Sequence, residues 1–201
     1  MNLMSTPQQA SDVDAVSRPP LLLSLSFDVD QISSQLDWTL TPDVQPVTGA
    51  DSGCIAFTMG DVLNVAVNGY GRKGNFYTFQ IVDCCIITKP ALVQIGRQVA
   101  PLYAAPSPFV QALGACYPLS LDFRCTAQNY VGADQKHRRV THSWKHQLDV
   151  NHAPGRWELS FVLTVRIMRE LGHVTETRVF SFDPECQVGD GTEPDLPHGG
   201  A

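Results

Sequence analysis

Eleven residues in the last third of the chain limit what it can fold into. From Trp157 to Ile167 every odd position is apolar: Trp157, Leu159, Phe161, Leu163, Val165 and Ile167. Glu158, Ser160, Thr164 and Arg166 make the positions between them mostly polar. A period of two belongs to a strand with one buried and one wet face; a helix would repeat at 3.6. Arg169 to His173, containing Gly172, breaks the pattern, and Val174 to Phe182 returns to threonine, valine and phenylalanine. The pair reads as a β-hairpin. The predicted class is all-β, a two-sheet antiparallel sandwich (jelly-roll or Ig-like) of seven to nine strands.

Earlier segments fit that class. Leu21, Leu23, Leu25, Phe27 and Val29 share one face, with Ser24, Ser26, Asp28 and Asp30 on the other. Gln31 to Gly53 is a polar excursion with room for a short strand near Trp38. Cys54 to Met59 and Asp61 to Asn68 are strand-like, and Asn75 to Thr88 is one bent strand or two short ones. Leu119 to Cys125 and Val140 to Val150 alternate again. Between Thr88 and Leu119, the stretch Lys89 to Pro118 carries Pro90, Pro101, Pro106, Pro108 and Pro118. Ser107, Pro108 and Gly114 suit a helix cap, first turn and stop, so one short helix is predicted there and another over Ala91 to Val99. The expected organisation is a disordered lead (1–20), one β-sandwich domain (21–186) and a flexible acidic tail (187–201).

Composition narrows the function classes. A formal charge of -6 argues against nucleic acid as a partner, because its binders usually carry a basic face. The one basic cluster, Lys136, His137, Arg138 and Arg139, reads as a solvated loop or strand end, with anion or nucleic-acid binding as the sharper alternative. The run Leu21 to Phe27 is too short to span a bilayer, so no membrane partner is expected. Met1 to Pro20 has no secretion-signal pattern. The six cysteines include no Cys-x-x-Cys pair and are expected to be reduced thiols in a cytoplasmic protein.

Few motifs carry chemistry. Gly69-Tyr70-Gly71-Arg72-Lys73-Gly74 satisfies G-x-G-x-x-G, but strand composition follows where a dinucleotide site needs a helix. The glycines are expected instead to make a turn between strands. No Gly-x-Ser-x-Gly elbow is present, no catalytic residue is assigned and no cofactor is expected. In Val140 to Val150 one face holds His142, Trp144 and His146. Four residues of strand would separate the histidines by roughly 13 Å, too far to share a metal ion. The plainer reading places them at the sheet margin with satisfied ring nitrogens. The sharper one is a sugar pocket, with Trp144 as stacking platform and His142 and His146 as hydrogen-bond partners. Asp28 and Asp30 are candidate cation or hydroxyl ligands, though paired acids at a strand end are more often simply solvated.

Four segments carry a family resemblance. Leu23 to Asp30 (LSLSFDVD), Phe57 to Val62 (FTMGDV), the hairpin Trp157 to Thr177, and Phe180 to Pro184 (FSFDP) resemble the AidA/PixA family of bacterial inclusion-body proteins. Phe182 departs from the tryptophan expected in the closing motif, and Lys89 to Pro118 has no clear family counterpart. The resemblance implies a β-sandwich that accumulates in the cytoplasm and is linked to quorum-controlled or host-associated states, and the long alternating strands, whose unpaired edges invite pairing, add self-association as a homo-oligomer. Lectin-like carbohydrate binding is implied for some relatives. The expected function is therefore a non-enzymatic, self-associating sandwich with a carbohydrate site. The rival is a small hydrolase or isomerase using His142 or His146 as general base near Asp183 or Asp28.

Overall fold

The computed structural model describes residues 19–42, 55–93, 102–103, 105–111, 116–150, 155–169, 175–183 and 185–188. The first strands are β1 (Leu21–Asp28), β2 (Asp37–Thr41), β3 (Ile55–Phe57), β4 (Val62–Arg72), β5 (Thr78–Pro90), β6 (Leu92–Val93) and β7 (Leu102–Tyr103). After them come β8 (Cys116–Pro118), β9 (Phe123–Val131), β10 (His137–Trp144), β11 (Leu148–Asp149), β12 (Gly155–Met168), β13 (Thr175–Phe182) and β14 (Glu185–Val188). One sheet has the order β2-β1-β4-β10-β9, with β11 also on β4; the other has β3-β14-β12-β5-β8, with β13 also on β12. Pairing is antiparallel except for β1 with β4 and β3 with β14, and β6 and β7 form a separate two-stranded ladder.

β12 organises the second sheet because its pattern is complete. All its odd-numbered residues are buried from Gly155 to Ile167, and β5 pairs with it from Trp157 to Met168. Its other edge is shared: β14 takes Gly155 to Glu158 and β13 takes Phe161 to Met168. The predicted hairpin is thus present. The two sheets meet through aromatic side chains, as Phe27 of β1 stacks on Phe180 (4.7 Å) and meets the edge of Phe79 (5.1 Å). Segment 29–36 is clasped by β13: Leu36 N–H donates to the Ser181 carbonyl (2.9 Å), and Ser181 N–H donates to that of Ser34 (2.9 Å). The Arg178 guanidinium donates to the carbonyls of Val29 and Ser33.

Several expectations need correction. No helix occurs among the described residues. The prolines explain the 105–111 segment, since each removes a backbone donor that a helix would use. Its polar groups go elsewhere: Trp157 Nε1 donates to the Ala105 carbonyl (2.6 Å), Thr88 Oγ1 donates to that of Pro106 (2.7 Å), and Phe109 bridges to Val150. Of the other predicted helix, Leu92 and Val93 are strand, and residues 94–99 lie outside the described residues. Among the described residues there are fourteen strands rather than seven to nine, because short ladders recruit loop segments and long runs divide. Val140 to Val150 is one such run. It leaves the sheet after Trp144, where Lys145 N–H donates to the Asp122 carbonyl (3.0 Å), and re-pairs as β11. Leu119 to Asp122 is likewise not strand; β9 begins at Phe123. The expected boundary at 186 falls inside β14.

The glycine motif is also placed differently. Gly69 and Gly71 are strand residues of β4, and only Gly74 (φ +83°) makes the turn. A Cβ on Gly69 would lie 2.8 Å from Phe79, and one on Gly71 would lie 2.7 Å from Val29 and closer still to Phe76. Glycine is required there so that aromatic rings can reach the backbone of β4.

Candidate functional site

β10 delivers the predicted residues to three different environments. Trp144 ends the strand and is only 7% exposed. Its Nε1 donates to the carbonyl (3.0 Å) and hydroxyl (3.2 Å) of Ser120, which satisfies the indole internally. With so little exposure, Trp144 offers solvent only a small part of its surface. His146 lies just beyond the strand, in the bend, and its ring packs on Trp144 at 5.4 Å. His142 points inward on the same strand and its ring lies 4.6 Å from that of Phe79. Its Nε2 is buried without a partner among the described residues, and burial pulls its pKa below the usual imidazole value.

Around Trp144 and His146 the surface sinks into an open depression of about 610 Å³. His146 Nε2 lies 3.1 Å from Asp122 Oδ2, and Lys145 Nζ lies 3.8 Å from the other carboxylate oxygen. The imidazole hydrogen bond, followed by the Lys145 charge, holds the Asp122 carboxyl below its ordinary range. Both partners stand in solvent, with side chains 53% and 56% exposed. On the far side Gln111 donates to Asp149 (2.9 Å) and Gln147 donates to the other oxygen of that carboxylate (3.1 Å). Tyr117 supplies further aromatic lining. The result is a set of amide, carboxylate, imidazole and ammonium groups around the exposed part of Trp144.

Asp28 and Asp30 are not part of this depression, and they do not form a pair facing one way. Asp28 ends β1, and its Oδ1 accepts the backbone N–H of Asp30 (2.8 Å). The Asp30 carboxylate is taken by Arg169 (3.0 Å) and Asn75 (3.1 Å). Among the described residues no group of three or more His, Cys, Asp or Glu is placed to hold a metal ion. Neither Asp28 nor Asp183 hydrogen-bonds a histidine ring among the described residues. The carboxylate that does is Asp122, which sequence reasoning missed together with Gln111 and Gln147. No spacing could have found Asp122, because the register of β9 on β10 brings it to His146 from 24 residues away.

No protein-family model, curated protein or solved structure matches this chain. Among the described residues no helix is long and apolar enough to cross a membrane.

Proposed function

We propose that this chain is a non-enzymatic sandwich of the AidA/PixA type, self-associating in the cytoplasm and taking a carbohydrate in the depression beside Trp144. The observation that carries the sugar reading is the array of Asp122, His146, Gln147 and Gln111 around the exposed part of Trp144. Sugars offer hydroxyls that both donate and accept, and planar polar groups beside an apolar surface suit them. Trp144 acts as the floor of this site, and His146 and Asp122 are its rim.

Self-association is supported by the outer edge of β9, which pairs with no strand among the described residues. Edge strands are normally blunted by charge or proline. β9 carries neither proline nor any charged residue but Arg124, and most of its side chains are exposed. A second copy can extend the sheet there.

The hydrolase or isomerase reading has one observation in its favour, the His146–Asp122 hydrogen bond. Catalysis asks for such a pair against a nucleophile at the floor of a concavity, whereas this one stands at an open rim. We rank it second.

Glycan-array binding by the purified protein tests the site. Sugar binding that survives in the wild type and is lost in His146→Ala and Gln147→Ala, with an unchanged melting curve, supports it. Equal binding by wild type and variants, or none by either, removes it. Size-exclusion chromatography across a concentration series, with an Ala127→Lys variant on β9, tests the assembly. A profile that is monomeric at every concentration ends that part of the proposal.

A further inference from the structure

The opposite end of β10 holds a second constellation that the carbohydrate reading does not use. His137 opens the strand and pairs in register with Arg72 at the end of β4. The adjoining turns are tied together, as Lys73 N–H donates to the Lys136 carbonyl (2.8 Å). Arg72, Lys73, Lys136 and His137 therefore converge, and among the described residues these four line a depression of about 450 Å³. Three permanent cations and an imidazole share one concavity on a chain whose formal charge is -6. Like charges so gathered repel one another unless an anion sits among them.

Their present partners leave that charge largely uncompensated. Lys136 has Asp134 at 3.3 Å, in solvent, and Lys73 rests over the face of Tyr130 at 5.0 Å. Arg72 makes no ion pair or side-chain hydrogen bond among the described residues, and it is exposed. A guanidinium and two ammonium groups in reach of one another match the three oxygens of a phosphoryl or sulfate group.

The depression does not end there. His137 also lines a neighbouring cavity of about 330 Å³, together with Tyr70, Asp28, Asp37 and Ser26. The register explains the continuity: Asp28 pairs with Tyr70, Ser26 with Asp37, and Tyr70 with Arg139, all on the outer face of the first sheet. Asp37 is exposed, and its carboxylate makes no side-chain hydrogen bond or ion pair among the described residues. The groove is therefore bipolar, with cations at one end, carboxylates at the other, and the Tyr70 ring between. Backbone spacing from Asp37 to Arg72 is on the order of 16 Å, from about 13 Å along β4 and two strand spacings across.

We infer that this groove binds a sugar phosphate or its sulfate ester, with the anionic group between Arg72, Lys73 and Lys136 and the hydroxyls directed to Asp37 and Asp28. The carboxylates accept from hydroxyls and repel a second anionic group, which selects against polyanions that are charged along their whole length. This site is independent of the Trp144 depression, since β10 separates the two.

Isothermal titration calorimetry in low salt, with glucose 6-phosphate, glucose 6-sulfate, inorganic phosphate, glucose and a short DNA duplex as separate titrants, tests it. Saturable binding of one or both esters, tighter than inorganic phosphate and far tighter than glucose, is the expected result; which ester binds tells phosphate from sulfate. Arg72→Ala and Lys136→Ala should each weaken it about tenfold, as loss of a charge-assisted hydrogen bond would, and Asp37→Asn should weaken the esters while leaving inorganic phosphate unchanged. All three residues are exposed, so the variants should keep the wild-type melting curve. The inference is overturned if neither ester binds, if they bind no better than inorganic phosphate, if the Arg72 and Lys136 variants bind as wild type does, or if only the DNA duplex binds.

Discussion

β12 and β10 are both long, alternating strands at or near the middle of their sheets, yet they live in different surroundings. β12 has partners on both edges, and its apolar face is covered throughout by the opposite sheet. β10 has β4 on one side and only the exposed edge strand β9 on the other. Its burial is correspondingly patchy: Val140 and Trp144 are buried, and His142 between them is only half covered. Alternation therefore means core in one strand and a gradient from core to rim in the other. The gradient is where polar chemistry can stand beside aromatic surface.

The sharpest way to break this contrast is to truncate one side chain in each region. Leu163 in β12 is fully buried, so Leu163→Ala should cost about 2–5 kcal/mol of unfolding free energy. Asn129→Ala, in exposed β9, should stay within about 0.5 kcal/mol. Urea denaturation followed by fluorescence measures both, and similar losses would erase the distinction drawn between the strands.

Next in size is the backbone of β4, where rings from the second sheet and the turn press on the first. Gly71→Ala places a methyl group against Phe76 and Val29, and overpacking of this kind costs about 1–3 kcal/mol. Gly60, in the turn before β4, has open space around it, so Gly60→Ala suffers only from its φ of +89°. A larger loss at Gly60 than at Gly71 in thermal melts would mean that the rings are not what holds glycine in β4.

A third prediction uses His142. Its pKa is depressed in the folded state by burial, so the unfolded chain binds that proton more readily. The contribution favouring the fold is complete above the unfolded value, near 6.5, and declines as pH falls through it toward the folded value. Melting midpoints of wild type and His142→Phe should thus diverge in favour of the variant between neutral and mildly acidic pH. Parallel curves would show that the ring is not the acid-sensitive group.

The smallest effect is expected at the rim. Asp122→Asn removes the charge beside His146 and Lys145, but the pair is in solvent, where ion pairs contribute little. No resolvable change in melting midpoint is expected, while sugar binding should fall because a hydroxyl acceptor is weakened. A clear drop in midpoint would recast Asp122 as a structural residue.

Much of the fold was legible because burial writes itself into period-two patterning. β1 and β12 could be read nearly to their ends, since one face of each is continuously covered, whereas β13 is buried only at Phe180 and Phe182. Leu119 to Cys125 misled for the opposite reason: its alternation is real, but Leu121 is 56% exposed and the segment before Phe123 turns rather than pairs. The prolines of 105–111 carry helix-start signals that lost to the hydrogen bonds Trp157 and Thr88 offered from β12 and β5. Of the site, the His146 and Trp144 neighbourhood was readable from one strand. Asp122, Gln111 and the meeting of Arg72 with His137 depend on cross-strand register, which no local spacing encodes.

The clasp between segment 29–36 and Ser181 has a consequence for synthesis on the ribosome. The strand that fastens the segment following β1 leaves the exit tunnel some 150 residues after β1 itself. Until then Leu23, Leu25 and Phe27 have no opposing layer from β13, and contacts so distant along the chain form slowly. A nascent chain that stalls before β13 would display a sticky, half-covered ribbon, so chaperone demand should concentrate in the interval before the final hairpin is made.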